Sequence, residues 1–280
     1  MAKLRHLALH TADPIGAADF YKRVFDMKGV HRNETPMAEA IVHLSDGHLH
    51  LALLRFRSPE LAATYGCSSD LGLNHFGFWL DETEAQEIRR RLREAGAVRG
   101  PSVETGVFFE EKWRGPDGVV FDLSDANTGR ERYQAKIDEG ERTPKVRHLA
   151  LNTADLEGTA DFYKRVFGME EVGRNPTQFT DGVYLSDGTL NVTILRFKSL
   201  ETAINMTRSS ALGLSHFGFW VESLEETAGR LQEAGAEHLI MGENEQRVLI
   251  HHEDKWRGPD GVVLDITETG WTGARPPDAD

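Results

Sequence analysis

The chain has 280 residues, enough for about two domains, and a single cysteine, Cys67, which excludes an internal disulfide and a multi-cysteine zinc or iron–sulfur site. Lys and Arg number 32 against 45 Asp and Glu, and the formal charge of −13 argues against nucleic acid as a partner. No apolar run approaches the ~18 residues of a membrane helix, and MAKLRHLALH lacks a signal peptide's apolar stretch, so the expectation is a cytoplasmic protein with no membrane partner.

Residues 4–10 alternate in hydropathy as a half-buried strand does. Asp13 caps a predicted helix with Pro14 at its first position, and Phe20, Tyr21 and Val24 form its buried face. Strands follow over 40–44 and 48–56, joined by the turn Ser45-Asp46-Gly47, and another over 74–80. A helix then runs to Glu94 and stops at Gly96, and Gly115-Pro116-Asp117-Gly118 turns between the last two strands. From Arg147 the pattern starts again. RHLALHTADPIGAADFYKRVF returns as RHLALNTADLEGTADFYKRVF, LGLNHFGFW as LGLSHFGFW, and KWRGPDGVVFD as KWRGPDGVVLD, at offsets of 141–143. The expected fold class is therefore α+β, a tandem repeat with two βαβββ units in each copy. Its predicted parts are a first domain over 1–126, a charged and partly helical linker over 127–144, a second domain over 145–273 and a loose tail over 274–280.

Side chains alternate across a strand, so each strand divides into two faces. Leu7 and Leu9 oppose His6, Ala8 and His10; Phe76 and Phe78 oppose His75, Gly77 and Trp79; Phe121 and Leu123 oppose Val120, Asp122 and Ser124. One face suits packing under helices. The other gathers two histidines and a carboxylate among small neighbours, and the second copy repeats this with His148, His216 and Asp265. One strand histidine is ordinarily a core or rim residue, but two imidazoles and a carboxylate, twice, suit a divalent metal with open positions.

These features, namely the first-strand histidine, ADFYKRVF, the histidine of HFGFW and GPDG before a strand acid, resemble the vicinal oxygen chelate superfamily of glyoxalases, bleomycin-binding proteins and extradiol dioxygenases. The resemblance covers nearly all of both repeats, and the fold it implies is paired βαβββ modules forming open, curled mixed sheets around metal sites. It implies that His6, His75 and Asp122, and His148, His216 and Asp265, are metal ligands, with Fe(II) first and Mn, Ni, Co or Zn as alternatives. The acid departs from the family's usual Glu. HLHLALLRF and TLNVTILRF also lack the further carboxylate of a glyoxalase, which leaves three-ligand sites as in extradiol dioxygenases. The ligands can be drawn from one repeat or shared across the two; the dioxygenase likeness favours one repeat.

The copies differ elsewhere. His251 and His252 replace Phe108 and Phe109 and are candidates for catalytic acid–base groups, with an exposed strand pair as the plainer alternative. His10, His43, His48 and His50 stand where copy two has Asn152, Tyr184, Thr189 and Asn191; one of them, His48 or His50, is expected in the first pocket and the others at the surface. Lys112, Arg114, Lys255 and Arg257 are candidates to attract an anionic substrate or to brace the GPDG turn, and Trp79 and Trp220 to stack on an aromatic one or simply to pack. The expected activity is an extradiol-type, ring-cleaving dioxygenase acting on a small vicinal-oxygen or catechol-like molecule. The alternatives are a glyoxalase-like lyase or isomerase, and a non-catalytic drug-sequestering protein. A small molecule is the expected partner, and a homo-oligomer is compatible with the sequence.

Overall fold

A computed structural model describes residues 2–104, 109–136, 143–207, 212–239 and 253–277. The chain divides into two units, Met1–Glu141 and Arg142–Asp280.

Unit 1 runs β1 (Lys3–His10), α1 (Pro14–Phe25), β2 (Lys28–Asn33), β3 (Ala38–Ser45), β4 (His50–Phe56), α2 (Pro59–Thr64), β5 (Gly72–Leu80), α3 (Glu82–Glu94), β6 (Val98–Glu104), β7 (Phe109–Arg114), β8 (Val120–Asp125) and α4 (Ala126–Tyr133). Unit 2 runs β9 (Lys145–Asn152), α5 (Leu156–Phe167), β10 (Glu170–Pro176), β11 (Thr180–Ser186), β12 (Asn191–Phe197), α6 (Leu200–Thr207), β13 (Gly213–Trp220), α7 (Leu224–Glu233), β14 (Glu237–His238), β15 (Asp254–Arg257) and β16 (Val263–Thr267). Each unit forms one open, eight-stranded mixed sheet: β2-β3-β4-β1-β5-β8-β7-β6, and β10-β11-β12-β9-β13-β16-β15-β14. No described helix is long and apolar enough to cross a membrane.

The local signals act as read. Asp13 accepts from the Ile15 and Gly16 amides at the start of α1, with Pro14 in the first turn, where its missing N–H costs nothing. The helix ends at Asp26 in the left-handed region, φ 54°, where unit 2 has Gly168. Phe20, Tyr21, Val24 and Phe25 of α1 are buried, as are Phe76, Phe78, Phe121 and Leu123 on the helix side of the sheet. The other face of the central strands holds the polar residues.

The segment after β8 is more than a connector. α4 is capped by Asp125, whose side chain accepts from the Thr128 amide, and the Gln134 side chain donates to the Gly47 carbonyl. The stretch after Gly273 is tied as well. The Arg275 amide donates to the Thr189 carbonyl, and the Arg275 carbonyl accepts from Arg147 Nε at 2.8 Å. A composition of Ala, Arg, Pro and Asp reads as loose, but backbone groups bond whatever side chains they carry.

Candidate functional site

Register brings the unit 1 residues together. β1 pairs antiparallel with β5 and β5 parallel with β8, so that His6, Gly77 and Asp122 form one row across three strands. His75 lies two residues along from Gly77 on the same face. Gly77 is the necessary gap: a Cβ there would meet His6 Cβ and Cδ2 at 3.2 Å and Asp122 Cβ at 3.3 Å. Over that gap the His6 and His75 Nε2 atoms stand 3.4 Å apart. Asp122 Oδ2 is 3.1 Å from His75 Nε2 and 4.0 Å from His6 Nε2. In unit 2, His148 and His216 Nε2 are 3.3 Å apart, Asp265 Oδ2 is 3.3 Å from His216, and Gly218 occupies the row between His148 and Asp265.

Protonation and bonding make these atoms acceptors. Burial, reinforced by the neighbouring His75, pushes His6 down to about 3, and burial with His216 does the same for His148. Burial and then the nearby lysine lower His75 and His216 in the same way. All four rings are therefore neutral near pH 7. Asp122 Oδ2, the oxygen facing the histidines, is buried without a hydrogen-bond partner; in Asp265 the unpartnered oxygen is Oδ1, while Oδ2, which faces His216, accepts from the Lys255 ammonium. Metal–ligand bonds of ~2.1 Å place neighbouring ligand atoms roughly 3.0–3.5 Å apart; the His–His pair and one His–Asp pair of each set lie in that range, while His6 Nε2 and Asp122 Oδ2, at 4.0 Å, lie beyond it, and each set has the donor chemistry of a divalent-cation site. Each set comes from a single unit.

A lysine stands beside each set. β7 pairs with β8 so that Lys112 opposes Asp122 and Glu110 opposes Ser124. Lys112 Nζ is 2.8 Å from Asp122 Oδ1, 2.8 Å from Glu110 Oε1 and 3.3 Å from His75 Nε2. Burial works against this ammonium, but the charges of Asp122 and Glu110 outweigh it and raise its pKa. Lys255 likewise pairs with Asp265 and lies 3.5 Å from His216 Nε2. Burial opposes ionisation of Asp265, yet the Lys255 charge and then His216 hold its carboxyl below the usual range. The equivalent of Glu110 is Glu253, pushed up to about 7 by burial and then by the charge of Asp265; it accepts from the Trp271 indole. These acids escape a sequence reading because Glu-x-Lys on an alternating strand looks like a solvated face.

Behind the ligands the units diverge. His6 Nδ1 lies 2.9 Å from His50 Nδ1, His50 Nε2 lies 2.8 Å from His43 Nδ1, and His43 Nε2 lies 2.7 Å from Asn33 Oδ1. Tyr133 of α4 stacks on His50 at 4.2 Å and 8° and on His43 at 4.7 Å. His50 thus lines the unit 1 pocket, as one of His48 and His50 is expected to, while His43 and His10 are buried rather than at the surface. The β1–β4 register, His6 opposite His50, is what turns them inward. His48 is half-buried in the turn before β4. In unit 2, His148 Nδ1 meets Asn191 Oδ1 directly at 2.8 Å, and Trp271 stacks on His148 at 4.8 Å and 11°.

A cleft of about 200 Å³ opens beside the unit 1 set, with Ile41, Leu54, Phe56 and Trp79 among its apolar walls and His50, Glu110 and Lys112 among its polar ones. Trp79 therefore lines the cleft. Trp220 does not act as its twin: its indole donates to the Glu268 carbonyl and its ring covers Gly270, while Trp271 takes the position over the ligand. Arg257 pairs with Glu237 at 2.8 Å, and Arg114 donates to the Gly66 carbonyl. His251 and His252 lie outside the described residues.

Comparison with known proteins agrees with this architecture. The sequence model of the Glyoxalase/Bleomycin resistance protein/Dioxygenase superfamily matches residues 3–123 and again 145–266. Among curated proteins no sequence matches. Of solved structures, a mutant 4-hydroxymandelate synthase from Streptomyces coelicolor is similar at a TM-score of 0.69 and 16% identity, covering 97% of this chain and 95% of that one. A Pseudomonas 2,3-dioxygenase is similar at 0.68 and 16%, covering 99% and 95%. A Mn(II)-bound glyoxalase from Novosphingobium aromaticivorans is similar at 0.63 and 15%, covering 95% and 83%. Identities this low establish a shared fold and no more. With both repeats matched from first strand to last, the chain belongs to the Glyoxalase/Bleomycin resistance protein/Dioxygenase superfamily.

Proposed function

We propose that the protein is a divalent-metal-dependent enzyme of the extradiol dioxygenase type, acting in unit 1 on a small catechol-like compound with two adjacent oxygens. The observation that carries this reading is the convergence of two neutral imidazole nitrogens on a buried carboxylate oxygen that has no hydrogen bond. His6, His75 and Asp122 would hold one ion, and His148, His216 and Asp265 a second. When bound, Fe(II) or Mn(II) supplies Lewis acidity toward two vicinal oxygens and the redox capacity to use O₂.

The chain's own residues do the rest. Ile41, Leu54, Phe56 and Trp79 hold a planar ring in the dry wall of the cleft, with its oxygens toward the triad. Lys112 Nζ offers a fixed positive charge to a phenolate-like oxygen, and Glu110 Oε1 accepts a hydroxyl proton. Glu110 also favours a second reading, a lyase or isomerase that moves a proton without O₂, because it places a carboxylate in the cleft that the fourth strand lacks.

Protein purified without added metal and reconstituted with Fe(II) separates these readings. Catechol-dependent O₂ uptake, one O₂ per substrate consumed, supports the dioxygenase. Equal turnover under strict anoxia transfers the assignment to the lyase, and failure to retain Fe, Mn, Ni, Co or Zn defeats both.

A further inference from the structure

Two of the four ligand histidines meet an asparagine amide oxygen directly, and a third, His6, reaches one through two further imidazoles. His75 Nδ1 is 2.9 Å from Asn74 Oδ1, and that amide is oriented by its Nδ2, which donates to the Ser68 carbonyl at 2.8 Å. His148 Nδ1 is 2.8 Å from Asn191 Oδ1, whose Nδ2 donates to the Thr272 carbonyl at 2.8 Å. In both, the amide oxygen can only accept, so the imidazole carries its proton on Nδ1 and offers a lone pair at Nε2. His6 has no amide beside it. Its Nδ1 meets another imidazole, and the asparagine lies two rings further away.

A neutral imidazole has one N–H and one lone pair, so a chain of imidazoles runs in a single direction. With Asn33 Oδ1 accepting from His43 Nε2–H, His43 Nδ1 must accept from His50 Nε2–H, and His50 Nδ1 from His6 Nδ1–H. His6 Nε2 is then a lone pair facing His75 Nε2 and Asp122 Oδ2. Reversing the chain would put the proton on His6 Nε2, where it would close onto His75 Nε2 at 3.4 Å and abolish the cation site. We infer that Asn33, on β2 and remote from the ligands, is a positioning residue that sets the tautomer of His6 through His43 and His50 and so makes the unit 1 site able to take a cation. Its consequence for metal binding rests on the proposed function; the tautomer itself does not.

The test uses the full chain in an Asp265→Ala background, which leaves the unit 1 set intact. Imidazole ¹⁵N NMR of the metal-free protein reads the tautomer, and a Co(II) titration reads affinity. The expected result is Nδ1–H on His6, changing toward Nε2–H in Asn33→Leu, with a loss of about 10–100-fold in Co(II) affinity, the usual range for removing a partner of a ligand histidine. His50→Asn added to Asn33→Leu rebuilds unit 2's direct contact and should restore both readings, which a merely structural role for Asn33 would not allow. A proton found on Nε2 of His6 before mutation overturns the inference. So does an Asn33→Leu protein with unchanged tautomer and affinity, or one that His50→Asn fails to rescue. If no variant binds Co(II), the metal reading fails while the NMR still decides on Asn33.

Discussion

Replacing Lys112 by Met tests whether the unit 1 set is a cation site with a resident counter-charge. Met keeps most of the buried stem and removes the ammonium that stands 2.8 Å from Asp122 Oδ1. Asp122 is fully buried, and Lys112 is its closest positive partner among the described residues. Removing one member of a buried pair costs about 3–5 kcal/mol. A loss of about 3–5 kcal/mol in a unit of this size lowers the melting temperature by roughly 10–20 °C. A divalent ion would supply the missing charge, so the variant should gain more stability from Co(II) or Mn(II) than the unaltered protein does. Calorimetry of both proteins, metal-free and loaded, makes the comparison. A metal-free Lys112→Met protein within 1 kcal/mol of the parent, or one equally indifferent to metal, would refute the reasoning.

Acid should unfold unit 1 before unit 2. Folded His6, His43 and His148 take a proton only at about 3, and His50, His75 and His216 are lowered too, whereas in the unfolded chain each does so near 6.5. The unfolded state therefore binds more protons below pH 6.5, and stability falls with pH from there toward 3. At pH 5 each such histidine contributes up to about 2 kcal/mol of that loss. Unit 1 carries four of them and unit 2 carries two, so amide NMR signals of unit 1 should disappear first, and the opposite order would be incompatible with neutral buried chains. Gly77→Ala should separate His6 from Asp122, weakening metal binding in unit 1 while leaving unit 2 unchanged, at a stability cost of about 1–3 kcal/mol. A two-site Co(II) titration indistinguishable from that of the parent would show that the row tolerates a Cβ.

The repeat, the βαβββ order and the six candidate ligands could be read from residue spacing because alternation along a strand fixes which side chains share a face. Alternation does not say which strands lie side by side. His43 looks like a surface histidine, and His48 and His50 are equal candidates for the pocket, until β4 is known to pair with β1 and with β3, an adjacency that depends on the whole sheet. Lys112 and Glu110 mislead in the opposite direction. A charged residue on an edge-proximal strand ordinarily faces solvent, and only its register against Asp122 buries it. Tyr133 lay in a stretch whose charge suggested a linker, yet its ring is held by His43 and His50. Trp220 and Trp271 show the same limit, since strand parity selected the former and the turn after β16 brought in the latter.

The Trp271 stack on His148 gives the protein an optical reporter of its own. An indole 4.8 Å from an imidazole and nearly parallel to it lies within direct quenching range of anything that imidazole binds. Among the described aromatic contacts it is the tryptophan ring stacked on a candidate ligand, while Trp256 stacks on His238. The emission difference between the protein and its Trp271→Phe form therefore isolates the state of His148 from the other four indoles of the chain. Occupancy of the second unit can be followed by light alone, without chromogenic metal or substrate, while the first unit stays silent in that difference.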